Sequence, residues 1–174
     1  MKNPANVALT TVAGDVVTGS TGNNTYSAVI SSTASLNTLD SADTITDGTT
    51  SDADVLNVSA NKDITVTPTV TGIETINVTL DALSSNGTGN VTDFDVALTN
   101  IEKGGKINFD SVNANSIVSG LVITGDAGGV RNASNDFTTI SAALAADSTS
   151  TYNVSAVGSE ASNVSFTATG AADN

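Results

Sequence analysis

The chain has 174 residues, a formal net charge of −13 and a pI near 4.1, and it contains neither Cys nor His. Five basic residues are too few for the phosphate contacts of a nucleic-acid interface, and the acidic excess opposes binding to an anionic membrane surface. Without Cys or His, disulfides, thiol chemistry and nucleophilic sites with a His base are excluded, so we do not expect an enzyme.

The composition favours β-structure and a secreted protein. Thr, Ser and Asn make up over a third of the chain, and the hydrophobic fraction of 39% argues against disorder. Thr and Val are both β-branched, which suits a pleated surface. No apolar run reaches the roughly 18 residues of a membrane span, so we expect no membrane insertion. The segment Met1–Val7 lacks the apolar region of a Sec signal, so export is expected to use a signal elsewhere.

The first candidate site residues occur in turns near the N-terminus. Loose alternation between Val7 and Val17 predicts an edge strand or cap, interrupted by a turn at Gly14-Asp15, and makes Asp15 a candidate ligand. The next turn follows the calcium-binding nonapeptide G-G-x-G-x-D-x-U-x, where U is a large apolar residue. It reads Gly19-Ser-Thr-Gly22-Asn-Asn24-Thr-Tyr26, with Asn24 at the Asp position and Tyr26 as the large residue. Gly22 and Asn24 are therefore candidate ligands.

An acidic turn between residues 43 and 54 is the strongest chemical signal. It contains four carboxylates before the apolar run Val55-Leu56-Asn57-Val58, namely Asp43, Asp47, Asp52 and Asp54. Such carboxylates repel one another unless they are solvated or share a cation. Oxygen ligands without His or Cys favour a hard cation, and Ca²⁺ accepts irregular cages of six to eight oxygens. We therefore predict a calcium site here. The alternative is an ordinary Gly/Asn/Asp-rich β-turn without a metal.

Short β-type runs separated by Asn, Gly, Asp and Ser continue to the C-terminus. Residues 63–71 alternate strictly, with Pro68 suggesting a bulge or an edge, and Ile76, Val78 and Leu80 share one face of the next run. The pattern is all-β, either a sandwich or a solenoid. Asn inside strands favours the solenoid, because amides can then stack on equivalents in neighbouring rungs. The expected fold is a β-solenoid, a parallel β-helix-like ladder with calcium-binding turns.

One Ala-rich segment departs from this pattern. Ile140, Ala143, Leu144 and Asp147 fall at helical spacing, which predicts a short helix near 139–147. A further strand followed by a loop is the alternative.

Three phrases of the chain resemble bacterial surface-layer (S-layer) proteins of the RTX-related, type I-secreted kind. They are the acidic turn leading into Val55–Val58, the phrase Gly72-Ile-Glu-Thr-Ile-Asn-Val-Thr79 and the tail Ser162–Asp173. The resemblance implies calcium-bound β-solenoids that form a lattice around the cell. It also implies ligands near Asp15, Gly22, Asn24, Asp47, Asp52 and Asp54.

We therefore expect a structural, calcium-dependent protein that is secreted to the cell surface and assembles with itself into a lattice or filament. Residues 1–60 would form the RTX-like calcium-binding segment and residues 61–174 the ladder, within one continuous domain. A cell-surface polysaccharide is a second expected partner, bound through a region that the sequence does not identify. The alternative function is a calcium-stabilised module of a secreted RTX-type adhesin, which would remain monomeric.

Overall fold

The computed structural model describes residues 6–49 and 52–81 and, after them, six strands; side chains are described through residue 81 and at residues 107–111. The strands within this part of the chain are β1 (Asn6–Ala8), β2 (Val16–Thr18), β3 (Thr25–Ile30), β4 (Thr44–Thr46), β5 (Val55–Ala60), β6 (Thr69–Thr71), β7 (Thr75–Leu80), β8 (Asp93–Val96), β9 (Lys106–Ser111), β10 (Gly120–Thr124), β11 (Thr139–Ala146), β12 (Thr151–Ser155) and β13 (Asn163–Gly170). A 3-10 helix, Ala34–Leu36, follows β3. No helix among the described residues is long and apolar enough to cross a membrane.

All the strand pairs are parallel, and the chain alternates between sheets. The odd-numbered strands form one seven-stranded sheet in the order β1-β3-β5-β7-β9-β11-β13. The even-numbered strands form two three-stranded sheets, β2-β4-β6 and β8-β10-β12. Within each sheet, successive strands are two places apart in the chain, and the even-numbered series is divided between β6 and β8. The predicted all-β class, in the form of parallel sheets, is confirmed.

Equivalent residues of β3, β5, β7 and β9 lie side by side in the seven-stranded sheet, so their apolar side chains form columns across the strands. Tyr26 lies opposite Leu56, which lies opposite Ile76, and Ile107 continues this column in β9. A second column contains Ala28, Val58, Val78 and Phe109. All eight side chains are at most 4% exposed. Because side chains alternate between the faces of a strand, one face of the sheet supplies this core. The predicted apolar face of β7, formed by Ile76, Val78 and Leu80, is confirmed.

The opposite face carries a ladder of amides. Asn77 donates from Nδ2 to Oδ1 of Asn57 at 2.9 Å, and Asn108 donates in the same way to Asn77 at 2.9 Å. The three residues occupy one register position of β5, β7 and β9. Strand spacing of about 4.8 Å allows identical amides to bond from strand to strand. The predicted stacking of strand Asn residues is confirmed at these positions.

The helix predicted near 139–147 is wrong, and its alternative, a strand, is confirmed. Thr139–Ala146 forms β11, which pairs with β9 on one side and β13 on the other. Asp147 lies outside the described residues. Ala has little preference for strands, but two parallel neighbours satisfy the backbone groups of β11 from both sides, which outweighs a weak local propensity. Ile140 and Leu144 also fit a period of two, since their separation is even.

Two smaller expectations concern residues 60–71. The predicted strand over 63–71 is shorter in the structure, where β6 begins at Thr69, directly after Pro68. Ile64 and Val70 are nevertheless fully buried, and Val66 packs against the core. The domain boundary predicted at residue 60 falls at the end of β5, and β5 pairs with β7 along its whole length across that boundary.

The amide ladder should contribute measurably to stability. Asn77→Ala removes both of its amide hydrogen bonds and leaves the partner groups of Asn57 and Asn108 partly buried. We expect a loss of about 1–3 kcal/mol in the free energy of unfolding, measured by urea denaturation. Ser59→Ala, at an exposed position on the same face of β5, should change it by less than about 0.5 kcal/mol. Equal effects from the two changes would contradict a stabilising ladder.

Candidate metal centre

The candidate site lies where the chain passes from the sheet β2-β4-β6 to the seven-stranded sheet. Three connections make this passage, over residues 19–24, 47–54 and 72–74. Their first residues stack, because Gly19 N donates to Thr46 O at 2.7 Å and Asp47 N donates to Thr71 O at 2.9 Å. The middle connection is the longest of the three. We refer to this place as the corner.

Three carboxylates of the middle connection converge at the corner. Asp47, Asp52 and Asp54 each offer an oxygen, and these oxygens all lie within 4.8 Å of one another. Asp54 is fully buried and Asp47 is 8% exposed. None of the three connections contains Lys or Arg. The cluster thus combines burial with like charge, which is unfavourable without a cation or a proton.

Hydrogen bonds fix one side of each carboxylate. Asp54 Oδ1 accepts from the backbone N of Asn24 at 2.6 Å. Asp47 Oδ1 accepts from both the backbone N and the hydroxyl of Thr49 at 2.8 Å. The same Thr49 hydroxyl lies 2.6 Å from Asp52 Oδ2. Local turn bonds of this type are common for Asp, and here they orient the remaining oxygens.

Among the described residues, three buried oxygens at the corner have no hydrogen-bond partner. They are Asp52 Oδ1, Asp54 Oδ2 and the Tyr26 hydroxyl. Buried polar atoms are nearly always paired, so a group of three orphans indicates space for a ligand. Burial raises the pKa of Asp54, the Asn24 hydrogen bonds partly oppose this, and the charges of Asp47 and Asp52 raise it again. Burial also raises the pKa of Tyr26 to about 12, with further contributions from Asp47, Asp54 and Asp52.

Asn24 binds the cluster together through its amide nitrogen. Nδ2 lies 3.1 Å from Asp47 Oδ2, 3.3 Å from Asp54 Oδ1 and 3.2 Å from Ser20 O, and it also contacts Gly22 O. Its Oδ1 accepts from the Ser20 hydroxyl at 3.0 Å. An amide nitrogen carries two protons and cannot satisfy four oxygens at once. The corner therefore has more oxygen acceptors than donors.

Glycines allow the chain to approach Asp47 from both neighbouring connections. A Cβ on Gly19 would overlap both Asp47 Oδ2 and the Tyr26 hydroxyl. A Cβ on Gly72 would lie 2.5 Å from Asp47 O. Gly72 also has a φ of +72°, a backbone conformation that residues other than glycine rarely adopt. Both positions exclude larger residues, so the corner is closed around Asp47.

Asp15 and Asp43 lie at the other end of the short strands and do not join the cluster. Asp43, which is 1% exposed, accepts from the backbone N of Gly14 at 3.2 Å, of Asp15 at 2.9 Å and of Asp40 at 2.8 Å. Asp15 accepts from Thr10 N at 2.6 Å. Strand β4 separates Asp43 from Asp47, at about 3.3 Å per residue. Asp43 thus fastens turns together through backbone amides.

Of the sequence-predicted ligands, the structure brings together Asp47, Asp52, Asp54, Asn24 and Gly22. The chemistry of the corner fits a hard cation, because its donors are carboxylate, carbonyl and hydroxyl oxygens and several lack a partner. Sequence reasoning did not identify Tyr26 as a group facing the site. The nonapeptide frame assigned Tyr26 to the core, and only the register of β3 against β5 places its hydroxyl at the corner.

Comparison with family models, with curated proteins and with solved structures finds no match to this chain. The arguments for its function therefore rest on the chain's own residues.

The same substitution should have opposite effects at two buried Asp residues. With chelator at neutral pH, Asp54→Asn keeps an acceptor for Asn24 N and removes a charge that burial makes unfavourable, so stability should be unchanged or higher. Asp43→Asn places an NH₂ against a backbone N–H, so it should cost about 1–3 kcal/mol. Denaturant unfolding in chelator measures both.

The pH dependence of the Asp54→Asn effect follows from the raised pKa of Asp54. Above the ordinary value of 3.8 the folded state holds this proton more tightly than the unfolded chain does, so its contribution to stability is present at low pH and is lost as pH rises. The advantage of Asp54→Asn over the wild type should therefore shrink as pH falls towards 3.8. An advantage that grows on acidification would contradict the assignment.

Proposed function

We propose that this chain is a calcium-stabilised β-solenoid of a bacterial surface-layer protein, secreted to the cell surface, where it assembles with copies of itself. The observation that carries this proposal is the corner, where three carboxylates meet and the connections contain no basic residue. Two oxygens of these carboxylates and the Tyr26 hydroxyl are buried without a hydrogen-bond partner among the described residues. The chain has no His to serve as a base for the hydroxyl groups at the corner, and we assign the site a structural role.

The solenoid is supported by the alternation of the chain between sheets. Each strand of the seven-stranded sheet pairs in parallel with the strand two places later, and the same rule holds in both three-stranded sheets. A chain that winds repeatedly past the same positions produces this order. Apolar columns on one face and an amide ladder on the other are also expected when neighbouring turns of a coil are equivalent.

Calcium is the cation that best suits the oxygens of the corner. The candidate ligand oxygens come from the middle connection, from the neighbouring connection 19–24 and from the side chain of the core residue Tyr26. Ca²⁺ tolerates six to eight oxygens at 2.3–2.6 Å in flexible geometry, roughly, whereas Mg²⁺ demands a near-ideal octahedron and keeps several waters. The bound cation would offset most of the repulsion among Asp47, Asp52 and Asp54 and fix the middle connection between its neighbours.

Self-assembly is supported by charge and by shape. With a net charge of −13, copies repel one another unless divalent cations neutralise or bridge them. The seven-stranded sheet ends at β1 and β13, and sheet edges favour end-to-end pairing with another copy once the repulsion is reduced. The second candidate function, an RTX-type adhesin module, shares the calcium site but would stay monomeric, so assembly distinguishes the two.

Calcium should raise the stability of the fold through the corner. We expect the melting temperature in millimolar Ca²⁺ to exceed that in EDTA by several degrees, because a ligand that binds the folded state alone stabilises it. The double change Asp52→Asn with Asp54→Asn should abolish most of the shift. Asp110→Asn, at an exposed position of β9, tests loss of charge alone and should preserve the shift. Identical melting curves in calcium and EDTA would exclude the calcium proposal.

Calcium should also drive assembly. We expect ordered sheets or filaments in millimolar Ca²⁺ and dispersed protein in chelator. Light scattering and negative-stain microscopy measure the difference. Monovalent salt at equal ionic strength serves as the control, since it screens charge without bridging carboxylates. A protein that binds calcium yet remains monomeric at high concentration would favour the adhesin function.

A further inference from the structure

The Tyr26 hydroxyl is the one orphaned oxygen of the corner that carries no charge. Tyr26 is the second residue of β3, and its ring belongs to the apolar column with Leu56 and Ile76. The side chain is completely buried, yet within the part of the chain that the structure describes its hydroxyl has no hydrogen-bond partner. A buried tyrosine hydroxyl normally finds a partner, so a core role alone does not account for this atom.

The lack of a side chain at Gly19 leaves space for both the Tyr26 hydroxyl and the carboxylate of Asp47. A Cβ on Gly19 would overlap both the Tyr26 hydroxyl and Asp47 Oδ2, so the two oxygens face one small region. They form no hydrogen bond with each other, although Tyr26 could donate one. Asp54 Oδ2 and Asp52 Oδ1, which also lack partners, belong to the cluster that includes Asp47.

We propose that the Tyr26 hydroxyl is a ligand of the cation at the corner, adding a neutral oxygen to the shell begun by Asp47, Asp52 and Asp54. This inference rests on the proposed calcium site. Calcium requires six to eight oxygens, and three carboxylates that each bind through one oxygen leave several positions open. A neutral donor fills one of these positions without adding to a charge of −3 that already exceeds the cation's.

A ligand bound to the ring of a core residue would also couple the ion to the apolar column. The ring packs in the column, and the hydroxyl would hold the ion at the end of that ring. Binding of the ion would then stabilise the packing of β3 in the core as well as the connection 47–54. If the ligands came from the connection 47–54 alone, calcium binding would not affect the packing of β3.

Terbium luminescence gives a direct test, because Tb³⁺ replaces Ca²⁺ at oxygen sites and is sensitised by an aromatic ring beside it. The chain has two Tyr and no Trp, so the possible donors are Tyr26 and Tyr152, with Phe a negligible contributor. We expect ultraviolet excitation of the wild type with Tb³⁺ to give strong emission that added Ca²⁺ removes. Tyr152→Phe should keep this emission, and Tyr26→Phe should lose it.

Calcium titration by calorimetry then distinguishes a ligand from a mere neighbour of the ion. Tyr26→Phe removes the hydroxyl alone and should weaken Ca²⁺ binding about five- to tenfold, the loss expected for one interaction. In chelator, the same variant should melt at or above the wild-type temperature, because an unpartnered buried hydroxyl has been removed. Tyr152→Phe should leave the calcium affinity unchanged.

Each possible result bears on a different claim. A wild type that binds no Ca²⁺ would overturn the proposed function and this inference with it. Calcium binding of equal strength in wild type and Tyr26→Phe would overturn the tyrosine ligand while leaving the calcium site intact. Terbium emission that disappears in Tyr152→Phe and persists in Tyr26→Phe would also overturn it, and this comparison does not depend on the calcium titration.

Discussion

Burial of like charge at the corner is the constraint on which the rest of this structure depends. Asp47 and Asp54 are withdrawn from water, Asp52 lies beside them, and no basic residue of the adjoining connections offsets their charge. Taking a carboxylate out of water is unfavourable unless it is paired, coordinated or protonated. The raised pKa of Asp54 expresses this conflict. A divalent cation is the simplest means of resolving it at neutral pH.

Away from the corner, equivalent side chains on neighbouring strands pack against or hydrogen-bond to one another. Apolar columns fill one face of the seven-stranded sheet, and the amides of Asn57, Asn77 and Asn108 bond in sequence along the other. Equivalent residues meet from strand to strand, so each pairing repeats the one before it. The middle connection breaks this equivalence, because it is longer than its neighbours on either side. Extra residues at one point of a repeating stack provide room for a site that the stack itself lacks.

Asp43 and Asp54 illustrate how position decides what a buried carboxylate does. Asp43 accepts hydrogen bonds from three backbone N–H groups and so holds neighbouring turns together. Asp54 accepts from Asn24 through one oxygen and leaves the other without a partner. Both lie directly before a strand, so their sequence surroundings are similar. What differs is the number of backbone N–H donors: the described residues give three to Asp43 and one to Asp54.

The sequence by itself determined the β-class, the acidic segment and the stacking of Asn residues, because these depend on local pattern and composition. It also marked Asp47, Asp52 and Asp54, but it could not separate them from Asp15 and Asp43. That separation depends on which turns lie side by side, and the register between distant strands sets it. The Ala-rich strand β11 was mistaken for a helix for the same reason, since its partners come from elsewhere in the chain. Tertiary structure alone placed the hydroxyl of Tyr26 at the corner, because a side chain's neighbours across a sheet are fixed by pairing and not by sequence distance.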